Sequence, residues 1–174
     1  MDLGGASLDD LKQVADRVGE SYGRLDGLLN NAGWIGALMP FEHYDSVLWA
    51  KVVNTNMAAP FFLTQACMPL LKKSADPAIV FSLHDVRRAY WGGYAMAKAG
   101  LEALVRVLAD EHHPGSANPM RVIGIDTGPV STAERRRHYP GEPADSRPSP
   151  DSVVGPYLYA MSPEAGKRGG LIVR

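Results

Sequence analysis

The chain has 174 residues, of which 45 % are apolar, enough for one domain with a sizeable core and too many for wholesale disorder. Its 18 basic and 19 acidic residues leave a net charge of -1, which offers no general attraction to nucleic acid or an anionic membrane. The single cysteine, Cys67, excludes an internal disulfide and suits a reducing cytoplasm, and no apolar run is long enough to span a bilayer. Residues 1–10 lack the basic and apolar regions of a secretory signal.

In chain order, Ser7 with Asp10 three residues on reads as a helix N-cap. Leu8, Leu11, Val14, Ala15 and Val18 then recur at helical spacing to about Tyr22. Residues 25–29 form a short apolar run, a strand, which ends in the turn Asn30-Asn31-Ala32-Gly33. A loop over 34–44 precedes a long helix over 46–73, which Pro60 should kink because it removes a backbone donor. Residues 78–81 read as a buried strand, 82–93 as a loop, and 94–113 as a second long helix stopped by Pro114 and Gly115. A third strand covers 120–125. Five prolines and the run Arg135-Arg136-Arg137 mark 127–150 as a mobile loop rather than a second domain, with the arginines solvated. Ser149-Pro150 opens a helix to about Ser162, and 171–173 form a last strand.

Strands and helices alternate, and the strands are continuous apolar runs. That predicts an α/β fold, a Rossmann-like parallel sheet with helices on both faces. Ligands in such sheets bind beyond the carboxyl ends of the strands, where Asn30 to Gly33, Ser82 and Asp126 to Thr132 lie. The five histidines are scattered and give no metal-ligand spacing. Trp34, Tyr90 and Trp91 flank the expected substrate mouth.

Four features in order resemble the short-chain dehydrogenase/reductase family: Asn-Asn-Ala-Gly at 30–33, Asn56, Ser82, and Tyr94 with Lys98. The Tyr-x-x-x-Lys pair alone is a weak signal, but the ordered set is strong. Leu25-Asp26-Gly27, Phe62-Leu63-Thr64-Gln65-Ala66 and Ala97-Lys98-Ala99-Gly100 also match, so the resemblance covers nearly the whole chain. It implies an NAD(P)-dependent oxidoreductase that moves hydride between a carbonyl and an alcohol, with Asn56, Ser82, Tyr94 and Lys98 catalytic. A free tyrosine has a pKa of about 10, and a nearby cation favours its phenolate. Lys98 is one helical turn from Tyr94 on the same face. The resemblance further implies NAD or NADP held by Asp2, Leu3, Asn31, Ala32, Gly33, Tyr94, Lys98, Val130 and Thr132. It implies a small-molecule carbonyl or alcohol substrate, a cytoplasmic location, and a homo-oligomer, dimer or tetramer, built through helices 46–73 and 94–113.

The sequence also departs from the family's pattern. The Gly-x-x-x-Gly-x-Gly turn that binds pyrophosphate at a helix N-terminus is not in it, and Gly4-Gly5 is no substitute. Met1-Asp2-Leu3 resembles the end of the family's third strand, where an Asp contacts adenine. Thr127-Gly128 stands where Pro-Gly is usual, and Leu83-His84-Asp85 where a Gly-containing loop is usual. Ser82 lies twelve residues before Tyr94, one fewer than the family spacing. These departures predict a single Rossmann-like domain, 1–174, truncated on its N-terminal side, that binds NAD(P) weakly by itself. They leave one alternative, a non-catalytic, oligomer-forming pseudoenzyme.

Overall fold

The computed structural model describes residues 1–143, 145–166 and 169–173. Its strands are β1 (Gly27–Asn30), β2 (Ala78–Ser82), β3 (Arg121–Ile125) and β4 (Leu171–Val173). They form one parallel sheet in the order β1-β2-β3-β4. Every residue of β2 and β3 is buried, as expected of continuous apolar strands covered on both faces. Strand β1 lies at the edge, and its Leu29 is exposed.

Helix α1 (Leu8–Tyr22) starts at the expected capping box, with reciprocal bonds between Ser7 and Asp10. It ends at Gly23, whose φ of 74° is the left-handed cap that glycine adopts without strain. One sheet face packs Ile79, Phe81 and Val122 against Ala15 of α1, Leu71 of α3 (Ala59–Leu71) and Leu101 and Val105 of α4 (Gly92–Glu111). The other face packs Val80, Ile123 and Ile125 against Ala160 of α6 (Gly155–Met161). Arg121 pins α6 there. Its buried guanidinium donates to Ala160 O at 2.8 Å and Gly166 O at 2.8 Å, and pairs with Asp76 at 3.0 Å.

The helix expected over 46–73 is α2 (Ser46–Val53) and α3, joined by a π-helical segment, Asn54–Ala58. The irregularity thus lies just before Pro60, which sits in the first turn of α3, where a missing N–H costs little. Within 127–150 a short helix, α5 (Ala133–His138), starts at Thr132, whose hydroxyl accepts from Arg135 N. Arg136 and Arg137 are solvated. Arg135 is not: it makes a bidentate pair with Glu142 at 2.7 and 2.9 Å and stacks over Tyr139 at 3.6 Å. Leu3 to Gly5 form a turn, and Met1 to Leu3 pair with no strand among the described residues. Asp2 caps Gly4 N at 2.9 Å instead, and Asn54 of the π segment holds Leu3 O at 3.1 Å.

Candidate active site

A cleft of about 300 Å³ opens beyond the carboxyl ends of β1, β2 and β3. It brings together Asn31, Gly33, Ser82, Tyr94, Lys98, Val130 and Thr132 from the sequence reading. Asn56 lies behind Gly33: a Cβ added there would meet Asn56 Oδ1 at 3.3 Å and Lys98 Nζ at 3.7 Å. Ala32, Asp2 and Leu3 do not line the cleft.

Tyr94 and Lys98 face it from the first turns of α4, both buried. Lys98 Nζ donates to Ser82 O at 2.8 Å and lies 5.7 Å from the centre of the Tyr94 ring. Burial pushes the Lys98 pKa down to about 8, and the negative charge of Asp126 partly offsets this. Burial pushes the Tyr94 hydroxyl well above its ordinary value, and the charges of Asp126 and Glu134 act the same way. The buried phenol therefore holds its proton unless something compensates.

Ser82, at the end of β2, is not hydrogen-bonded to Tyr94. Its hydroxyl donates to Asn31 Oδ1 and lies 3.1 Å from the Tyr157 hydroxyl of α6. The first asparagine of the motif, Asn30, donates to Thr64 Oγ1 at 3.0 Å and anchors the strand end to α3. Asn56 clamps the loop that follows: its Oδ1 accepts from Trp34 N at 3.0 Å and its Nδ2 donates to Trp34 O at 2.7 Å. From the other wall, Glu134 of α5 accepts from Ile35 N at 3.1 Å.

The sequence reading marked His84 only as part of a departure from the family's loop and gave no role to His84, Glu134 or Tyr157. His84 Nδ1 lies 3.3 Å from the Tyr94 hydroxyl, and its ring packs edge-on against Trp91 at 5.6 Å. None of the three carries a spacing signal, because each reaches the cleft from a different loop or helix. Trp91 is buried beside Tyr94, whereas Tyr90 is exposed. The backbone achieves this reversal with a positive φ at Tyr90, 74°, a strained value for a tyrosine.

The family model for short chain dehydrogenase matches residues 1–142. The chain is 34 % identical over 174 residues to the uncharacterized oxidoreductase YciK of Escherichia coli strain K12, covering 98 % of this chain and 68 % of that protein. It is 28 % identical to the 3-oxoacyl-(acyl-carrier-protein) reductase FabG of Thermotoga maritima, over 95 % of this chain and 73 % of that protein. Among solved structures it superposes on a short chain dehydrogenase from Escherichia coli CFT073 complexed with NADPH. The TM-score is 0.92 at 35 % identity, over 99 % of this chain and 72 % of that one.

Proposed function

Because the chain belongs to the short chain dehydrogenase family, we propose that it is an NAD(P)-dependent oxidoreductase in which Tyr94 gives a proton to a substrate carbonyl oxygen and takes it back from the alcohol. One observation carries this reading. Tyr94 and Lys98, one turn apart on α4, are both buried at one cleft, with the ammonium tied down beside the phenol ring.

The donor set fits the nicotinamide end of such a cofactor. Gly33 leaves bare backbone beside Lys98 Nζ, and a side chain there would crowd Asn56 as well. Lys98 spends one donor on Ser82 O and keeps two for ribose hydroxyls. Thr132 accepts from Arg135 N, which leaves its own hydroxyl proton to donate to a carboxamide, with Val130 beside it. When bound, the cofactor supplies the hydride. NADPH is the first form to test, because the Escherichia coli CFT073 neighbour is complexed with it.

The remaining steps belong to this chain's residues. Tyr94 protonates the substrate oxygen, and the Lys98 charge stabilises the phenolate left behind. Ser82 positions both partners, holding Lys98 through its carbonyl and Asn31 through its hydroxyl. Asn56 fixes the turn that would hold the nicotinamide ribose. The substrate is a small carbonyl or alcohol, and the outer faces of α3 and α4 form a homo-oligomer interface.

The test is Tyr94→Phe. It removes the proton and little volume, so reduction should fall by about a hundredfold or more while NADPH affinity changes by less than about threefold. Retention of about half the wild-type rate would sink the reading.

A further inference from the structure

Building on the reading of Tyr94 as proton donor, we propose that His84 is a further catalytic residue: in its Nδ1–H form it donates to the Tyr94 oxygen and stabilises the phenolate left when that proton passes to the substrate. Among the described residues His84 is the one hydrogen-bond partner of the Tyr94 hydroxyl, at 3.3 Å. The resemblance gives this neighbourhood to Ser82, but the Ser82 hydroxyl is spent on Asn31 and lies beside Tyr157. It is also one residue short of the family spacing. The chain runs two residues past Ser82 and delivers an imidazole instead.

The geometry is held from both sides. Leu83 N donates to Ile125 O at 2.7 Å, and Asp85 N donates to Asp126 Oδ2 at 2.7 Å, so the backbone on each flank of His84 is tied to β3 or the residue after it. The ring itself is wedged edge-on between Trp91 at 5.6 Å and Tyr94 at 5.9 Å. A side chain confined in this way loses little freedom when it makes its bond.

The charges around it favour a neutral ring. Burial disfavours the imidazolium most. Asp126 opposes that effect, and Lys98, Arg135 and Arg88 reinforce it. A neutral ring has one N–H and one lone pair. If Nδ1 accepted from Tyr94, the phenol proton would be committed to His84 and could not point at a substrate. If Nδ1 carries the hydrogen, the Tyr94 O–H is left for the substrate and the phenolate gains a donor. The step balances: the Tyr94 O–H bond breaks, the substrate O–H bond forms, and the phenolate keeps the Nδ1–H hydrogen bond. Such a donor answers a specific need, since burial, Asp126 and Glu134 all oppose ionisation of Tyr94.

Ring-nitrogen NMR of the histidine-labelled protein at neutral pH tests this without turnover. The expected result is a neutral His84 ring with Nδ1 protonated. In Tyr94→Phe that preference should collapse toward a mixture of tautomers, with both ring nitrogens moving. A charged ring, a dominant Nε2–H form, or nitrogen shifts untouched by Tyr94→Phe would overturn the proposal. Should Tyr94→Phe not fold, the wild-type tautomer decides by itself. The NMR and turnover outcomes separate the two readings. An active Tyr94→Phe protein would remove the proton-donor role and leave the His84 contact standing. A wrong tautomer would remove His84 and leave Tyr94 untouched.

Discussion

Lys98 is 4 % exposed, yet it carries a charge at neutral pH. Burial is the dominant influence on it, and its folded pKa of about 8 lies below its ordinary 10.5. Between those values the unfolded chain binds more protons than the folded one, so stability rises with pH across that window. Below pH 8 the cost of burying the ammonium is present in full, an upper bound of about 3 kcal/mol. Replacing Lys98 by Met removes that cost and also the charge-assisted bond to Ser82 O, worth about 2 kcal/mol. Lys98→Met should therefore be about 1 kcal/mol more stable than wild type at pH 7, and the gap should close by pH 10. Urea unfolding at both pH values measures it; a gap that widens with pH would contradict the buried-ammonium account. The sequence showed that Lys98 lies one turn from Tyr94. It did not show the burial, which arises only when α4 packs against β3 and the π segment, with Ser82 O and Gly33 beside the ammonium. The role of His84 was not legible for a similar reason. Its meaning rests on a contact across a loop, not on a repeat.

At the scale of elements, the long helix of 46–73 shows what periodicity captures and what it omits. The apolar repeat and Pro60 located the helix and an irregularity. The form of that irregularity depends on a side chain. In the π segment Ala59 N bonds to Asn54 O, and Asn56 Nδ2 takes Val52 O at 2.7 Å. The bulge turns Asn56 toward Trp34, so one residue both repairs the helix and clamps the cleft loop. Removing the side chain strands Val52 O, Trp34 O and Trp34 N where water enters poorly. Asn56→Ala should cost about 3 kcal/mol and lower Tm by about 6 to 12 °C in thermal unfolding. Asn56→Asp should cost at least as much, because a carboxylate accepts from Trp34 N but faces the two carbonyls with negative charge. A fall of less than about 2 °C in both variants would mean that Asn56 is not the clamp. The proline-rich segment taught a related lesson. Its composition suggested only a loop, while the Thr132 cap and the Arg135–Glu142 pair build α5, and neither is periodic.

On the outer faces of the helices the molecule leaves apolar surface uncovered. Phe61 of α3 and Met96 and Val107 of α4 are exposed, and Phe61, Met68, Leu104 and Val107 line one shallow groove. Burial of such a face against its copy is favourable at roughly 25 cal/mol per Å² of apolar area. The proposed homo-oligomer should therefore use this groove, and Val107→Glu should shift sedimentation toward the monomer. A monomeric wild-type protein at about 100 μM would refute the interface.

The whole molecule also determines how much of a dinucleotide these 174 residues can hold. The donors proposed above for a dinucleotide, Lys98, Tyr94, Thr132 and the backbone near Gly33 and Val130, would all serve its nicotinamide end. Pyrophosphate needs backbone N–H groups at a helix N-terminus, with positive charge nearby. The first turn of α1 carries Asp9 and Asp10 instead, and Ser7 already satisfies the amide of Asp10. Asp2, the expected adenine partner, caps Gly4 N and pairs with Lys51 at 3.7 Å. Arg135, the cation lining the cleft besides Lys98, is committed to Glu142. A polypeptide of these residues should consequently bind NADPH with a Kd weaker than roughly 100 μM in calorimetric titration. Reduced nicotinamide mononucleotide, which lacks the adenylate half, should bind within about fivefold of NADPH, because that half finds few partners here. Micromolar affinity for NADPH, lost with the shorter nucleotide, would show that the adenylate is anchored by groups the cleft does not include.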